Sequence, residues 1–285
     1  MVGSGVHCYG QDCSLRLIAA NRRLPVKELA ERVLYDVQGY IAVITLNRPD
    51  RLNAFDSSMY DGVNQALCAF RDDDSARVCV IQANGERAFS AGADVTALSA
   101  KAADGDYTGL GELLLDTEML TAKPIIAAVH GFCVGEGVNL ALSCDMIIAA
   151  SSAKFMISEA RIGINAVDIP IKLGKKIGYN KAFVMLHPGD AMPVEWCRDA
   201  GLVEIVVPDE ELRATALLFA GRIADECGPL AVQAQKEVLW RAQFEDEDNA
   251  RQVGRDLKAD IRKSHDNEEG RTAFREKRAP QFVGK

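Results

Sequence analysis

Four short apolar runs constrain this chain most: IAVITLN (41–47), VCVIQAN (78–84), PIIAAV (124–129) and MIIAA (146–150). The first alternates and is rich in β-branched residues. All four have strand length rather than helix length. Helical patterns separate them. Asp56 or Ser57 can cap a helix whose apolar face is Met59, Val63, Ala66 and Phe70. A second helix is expected near Leu110–Leu120 and a third from about Glu136 to Ser143. Strands alternating with helices predict right-handed βαβ units and a mostly parallel sheet. EIVVP (204–208) reads as a late strand, and a short helix is expected near Leu24–Leu34. The polar stretch from Ala103 to Gly109 reads as surface. From Asp209 onward the pattern is helical.

The chain has 285 residues, 48% hydrophobic and 26% charged, which suits a soluble globular protein of one large or two modest domains. Its 33 basic and 41 acidic residues give a net charge of −8, which argues against nucleic acid or an anionic membrane as partner. Eight scattered cysteines form no CxxC pair; Cys68, Cys79, Cys133 and Cys144 lie in apolar surroundings and are expected to be buried, reduced thiols. No secretory signal core, membrane span or metal-ligand cluster is evident, so no metal is expected. The expected compartment is the cytoplasm, with an organelle matrix as the alternative.

Two glycine-containing turns follow strands. GFCVGEG (131–137) leads into a helix, and AFSAGADV (88–95) offers small residues with accessible backbone N–H groups. A helix N-terminus presents unpaired N–H groups. Two such turns in one sheet can converge on a single carbonyl oxygen and hold negative charge that develops there. A plain packing turn is the bland alternative for either motif alone.

Taken together, ITLNRPDRLNAF, AFSAGADV, KPIIAAVHGFCVGEGVNLALSCDMIIAASSAKF, SEARIGI, DAGLVEIVVP and EGRTAFREKRAPQF resemble the crotonase superfamily, which includes enoyl-CoA hydratases and isomerases. The resemblance covers about residues 35–282. It implies an α/β fold with a spiral of repeated ββα units and a helical C-terminal region. The chain would then divide into an N-terminal extension (1–34), a spiral core (35–208) and a C-terminal assembly region (209–285). It further implies homotrimers or dimers of trimers, and an acyl-CoA substrate whose coenzyme A is part of the substrate rather than a separate cofactor.

On that resemblance the oxyanion hole would be the N–H groups of Ala93 and Glu136, with Ala91, Gly92, Asp94, Val95 and Gly135 around it. Arg51, Leu52 and Ala54 match the segment that lines the CoA adenine and phosphate site, and Lys277 with Arg278 matches a basic segment reaching the phosphates. Hydratases of the family use two glutamates. Their first position is Asn139 here, and an amide cannot transfer protons at neutral pH. Their second is Glu159. A single glutamate suffices to move a double bond from the 3- to the 2-position, so Glu159 predicts an isomerase. The alternatives are a hydratase in which Asn139 orients water, or Glu136 or Asp168 supplies the second acid, another hydrolase or decarboxylase reaction of the family through the same hole, and a non-catalytic acyl-CoA-binding protein. The Glu136 side chain is expected to face outward, because exposed charge is the commoner state of a glutamate. Asp168 falls in INAVDIPIK (164–172), which replaces a glycine-rich run usual in relatives and is expected to be a pocket-lining loop. Asp145 and His130 are expected to be structural.

Overall fold

The computed structural model describes residues 31–285 apart from Tyr107 and Glu118. Among the described residues, ten strands form two sheets. The larger has β1 (Val33–Gln38), β2 (Ile41–Leu46), β3 (Val78–Ala83), β5 (Ile125–Val129), β7 (Met146–Ala150) and β10 (Ile205–Val207), in that spatial order. Only the β1–β2 pair is antiparallel within it. The smaller sheet has β4 (Ala88–Ser90), β6 (Phe132–Val134), β8 (Lys154–Met156) and β9 (Met192–Pro193). Thus β3, β5 and β7 each hand the chain to a three-residue strand of the second sheet. A helix follows each: Val95–Ala103, Glu136–Leu142, and Glu159–Ile162 with Asp168–Ile177. That repeated step is the ββα spiral.

Strands β5 and β7 are apolar throughout because both faces of the large sheet are covered there. Cys79, Ile81, Ile125, Ala127, Val129, Ile147 and Ala149 face the main core, which includes Met59, Val63, Ala66 and Phe70 of the Ser57–Asp72 helix. Asp56 caps that helix by accepting from Met59 N at 3.1 Å. On the opposite face, Val78, Val80, Ile126, Ala128, Ile148 and Ala150 meet Leu212, Ala216, Ala220 and Ala224 of the Leu212–Glu226 helix. Its alanines, one turn apart, let the helix lie close to the sheet.

Four expectations are corrected. Of the helix near Leu24–Leu34, the part up to residue 30 lies outside the described residues, and Val33 and Leu34 open β1 instead. The helix near Leu110–Leu120 is one turn, Leu114–Thr117; Gly109 and Gly111 have positive φ just before it and break the helical path. INAVDIPIK is not all loop: Asp168 starts the Asp168–Ile177 helix, whose buried face is Ile169, Leu173 and Ile177. Cys68 is half-buried, whereas Cys79, Cys133 and Cys144 are buried as expected.

Ala216 is fully buried against the sheet. Ala216→Leu inserts three carbons with nowhere to go and should cost about 1–3 kcal/mol, seen as a lower urea midpoint at unchanged slope.

Candidate active site

The AGAD turn is set by the loop before it. After the Pro49–Arg51 turn, Leu52 and Asn53 both adopt left-handed backbone angles, φ 52° and 54°. Such angles are unfavourable without local compensation. Asn53 provides it from a fully buried position: its Oδ1 accepts from Arg48 N at 2.8 Å, and its Nδ2 donates to Asn84 O at 2.9 Å and Ala88 O at 3.0 Å. The loop so held receives Ala91 N on Leu52 O at 2.9 Å. Phe55 N donates to Gly92 O and Asp94 N to Phe55 O, both at 2.8 Å. These bonds flank Ala93 and leave its own N–H directed away from the loop.

Arg48 locks the same join. Its guanidinium donates to Ala54 O and Asp94 Oδ2, both at 2.9 Å, and lies 3.2 Å from Asp56 Oδ2. Asp94 also caps the Val95–Ala103 helix through Thr96 N and Ala97 N. Burial opposes ionisation of Asp94, but Arg48 and the capping N–H groups outweigh it and hold the carboxyl below its usual range. Asp94 is therefore occupied within the protein, as are the Leu52 and Ala54 carbonyls. Val95 is exposed. Arg51 is exposed and borders an open surface pocket of about 410 Å³ with Arg32, Asn47 and Arg48.

The second turn meets the first. Gly135 caps the Glu136–Leu142 helix at φ 47°, ψ −111°, leaving Glu136 as the first helical residue, whose N–H has no acceptor within the helix. A Cβ placed on Gly92 would lie 3.0 Å from Val134 O and 3.5 Å from Glu136 N. One on Gly137 would lie 2.8 Å from Ser90 Cβ. The glycines are thus required by close approach of the two turns. Ser90 Oγ ties the AGAD turn to the loop before it, donating to Asn53 O at 2.9 Å and accepting from Gly92 N at 3.2 Å.

Glu159 begins a single 3-10 turn after β8. Its carboxylate lies over Gly135, where a methyl group would collide with Oε1. Its Oε2 is buried and has no protein partner. Burial raises the Glu159 pKa, partly offset by the backbone N–H groups of Glu159 and Ser158. An unpartnered carboxylate oxygen beside two presented N–H groups is what proton transfer at an activated thioester requires.

The expectation that Glu136 faces outward is corrected. Its side chain is largely buried, with Oε1 accepting from Asn139 Nδ2 at 3.1 Å and the Tyr60 hydroxyl nearby. Partners, not exposure, accommodate the charge here. Burial pushes its pKa up to about 7, with Asp116 adding to the rise and Asn139, Tyr60 and Lys172 opposing it. Asn139 is committed as well: its Nδ2 donates to Asp116 Oδ2 at 2.9 Å, and its Oδ1 accepts from Lys172 Nζ at 3.0 Å. Both of its N–H bonds are used on carboxylates, so it has none left to orient a water molecule.

Asp168 lies in the first turn of its helix and makes no hydrogen bond or ion pair among the described residues. Lys277 is the left-handed C-cap of the His265–Glu276 helix and is exposed; Arg278 pairs with Glu269 and Glu276. Asp145 is structural, accepting from Ile125 N at 2.7 Å and facing Lys236 at 2.8 Å. His130 bonds Gly85 O at 2.7 Å, and burial lowers its pKa. Sequence reasoning missed Arg48, Asn53, Ser90, Tyr60, Asp116 and Lys172. Arg48 and Asn53 lay within a quoted motif, and Lys172 within the altered INAVDIPIK segment; Tyr60 and Asp116 carried no local signal.

Two strand-fed turns meet beside a buried carboxylate with an unpartnered oxygen, an arrangement able to hold negative charge on a substrate oxygen and to move a proton. Comparison with known proteins agrees. The enoyl-CoA hydratase/isomerase family profile matches residues 36–285. The chain is 33% identical to the crotonyl-CoA hydratase of Syntrophomonas wolfei over 259 residues, covering 90% of this chain and 99% of that one. It is 36% identical to the carnitinyl-CoA dehydratase of Salmonella typhi, covering 87% and 96%. A probable enoyl-CoA hydratase/isomerase from Mycobacterium abscessus superposes with a TM-score of 0.82 at 29% identity, covering 90% and 99%. The chain belongs to the enoyl-CoA hydratase/isomerase (crotonase) family and is an acyl-CoA enzyme.

Gly135→Ala would push the Glu159 carboxylate aside and strain φ. Turnover should fall on the order of a hundredfold while the urea midpoint moves far less, measured on whichever enoyl-CoA the wild type consumes.

Proposed function

We propose that the chain adds water to the double bond of a 2-enoyl-CoA thioester, and removes it in the reverse direction, using Glu159 and Glu136 as its two acid/base groups. The observation that carries this reading is the inward Glu136 carboxyl. It lies against Asn139, the position where two-acid hydratases of the family have their first glutamate. Residues 136 and 139 are one helical turn apart and share a face. The carboxyl missing at 139 is therefore supplied from 136. The hydratase names of relatives at about one-third identity support the same direction.

In the proposed reaction the thioester oxygen accepts from the N–H groups of Ala93 and Glu136. Water attacks C3 as ionised Glu136 takes its proton, and the electron pair of the double bond moves to form an enolate. Protonated Glu159 then gives its proton to C2, yielding the 3-hydroxyacyl thioester. A pKa of about 7 lets Glu136 exist in both forms near neutrality, and burial shifts Glu159 toward its protonated form. Arg51 and, from the C-terminal region, Lys277 are proposed to meet the CoA phosphates.

Isomerisation by Glu159 alone is the second reading, favoured by its single unpartnered oxygen. Mass spectrometry in heavy-oxygen water separates the two. A 2-enoyl-CoA should gain one labelled oxygen; conversion of a 3-enoyl-CoA without label uptake, together with an inert 2-enoyl form, would select isomerisation. Under the two-carboxyl reading, Glu159→Gln and Glu136→Gln should each lower kcat by roughly 10²–10⁴-fold with little change in KM. Full turnover in Glu136→Gln would remove that residue from the chemistry.

A further inference from the structure

Lys172 stands at the centre of a buried polar cluster that the acid/base roles above do not use. Its ammonium has three N–H bonds and spends all three: on Asp116 Oδ1, on Asn139 Oδ1 at 3.0 Å and on Ser143 Oγ at 2.7 Å. The Lys172 and Asp116 side chains are 12% and 9% exposed, so the pair lies largely out of water. Asp116 places its second oxygen 2.9 Å from Asn139 Nδ2, and the remaining Nδ2 hydrogen reaches Glu136 Oε1. The amide is thus fixed in one orientation. Reversing it would set its oxygen against two carboxylates and its N–H groups against an ammonium.

We propose that Asp116 and Lys172 are a positioning pair which, through the locked Asn139 amide, holds the Glu136 carboxyl in place and sets the pH at which it gains or loses its proton. Lys172 donating to Oδ1 polarises the amide and strengthens its N–H bond to Glu136. Asp116, bound to the same nitrogen, opposes a second negative charge beside it. The two charges therefore act on Glu136 with opposite sign. The other group facing Glu136 is Tyr60, from the Ser57–Asp72 helix, which also feels the charges of Asp116 and Glu112. Burial pushes the Tyr60 pKa upward, so it stays a neutral donor across the physiological range. Glu159 lies against the preceding residue, Gly135.

The catalytic meaning of this pair rests on the two-carboxyl reading, but the titration does not, and the two are tested separately. Carbon-13 NMR of side-chain-labelled glutamate in the full-length protein follows each carboxyl across neutral pH, and the Glu136 signal is the one lost in Glu136→Gln. Asp116→Asn removes the opposing negative charge and should lower the Glu136 midpoint by about one pH unit or more. Lys172→Met removes the stabilising cation and should raise it by a similar amount. Lys172→Arg, which keeps the charge, should stay close to wild type. Shifts of the same sign in Asp116→Asn and Lys172→Met, or no shift in either, would overturn the proposal. Each of those variants has its own signed expectation, so one that does not fold leaves the other to decide. If Glu136 serves the reaction, the corresponding limb of the hydration pH profile moves with its NMR midpoint. If Glu136→Gln retains full turnover, the two-carboxyl reading fails while the NMR result still judges the pair.

Discussion

The site depends on one constraint: a charge taken out of water must find all its partners inside the protein. Lys172 meets it by bonding Asp116 from the Leu114–Thr117 turn, Asn139 within the Glu136–Leu142 helix, and Ser143 at that helix's end. Three separate pieces of chain are thereby fixed at one point. Losing any one partner would leave a buried donor or acceptor unpaired, which costs more than the bond itself contributes. The same rule operates beside the AGAD turn, where Asn53 and Arg48 bond the backbone groups of Arg48, Ala54, Asn84 and Ala88. What is left unpaired in this structure is therefore informative. Among the described residues, the buried side-chain oxygens without a partner are Glu159 Oε2, at the site, and the Tyr35 hydroxyl.

Much of the fold was legible because long-range order here repeats a local pattern. IAVITLN, VCVIQAN, PIIAAV and MIIAA are strands β2, β3, β5 and β7, and Asp56 caps the helix whose apolar face is Met59, Val63, Ala66 and Phe70. Strands β4, β6 and β8 were not legible. Three residues carry no period, and only the twofold return of the chain to a second sheet makes them strands. The Asp168–Ile177 helix was readable from Ile169, Leu173 and Ile177, but comparison with a glycine-rich loop obscured it.

For the site, the two turns and Glu159 follow from motifs that are local in sequence. The environment of Glu136 does not. Asp116 and Lys172 are 56 residues apart, and nothing near either residue announces the other. The general preference of glutamate for solvent gave the wrong orientation, because it says nothing about partners that arrive from elsewhere in the chain. The departure at Asn139 and the departure at Glu136 also looked like independent oddities in one dimension. In three dimensions they are one arrangement, since an amide at 139 can donate to the carboxylates of both 136 and 116, where a glutamate would have added a third negative charge.

Residue 136 opens its helix, so its backbone N–H and its carboxyl leave the chain in different directions and meet different neighbours. The anion-binding contribution of the backbone is indifferent to the side chain attached to it. A lineage could therefore gain, lose or exchange an acid at this position without rebuilding the anion site. Innovation at the first turn of a helix would need one codon change, provided that a neighbouring amide and a compensating cation were already in place to receive the new charge.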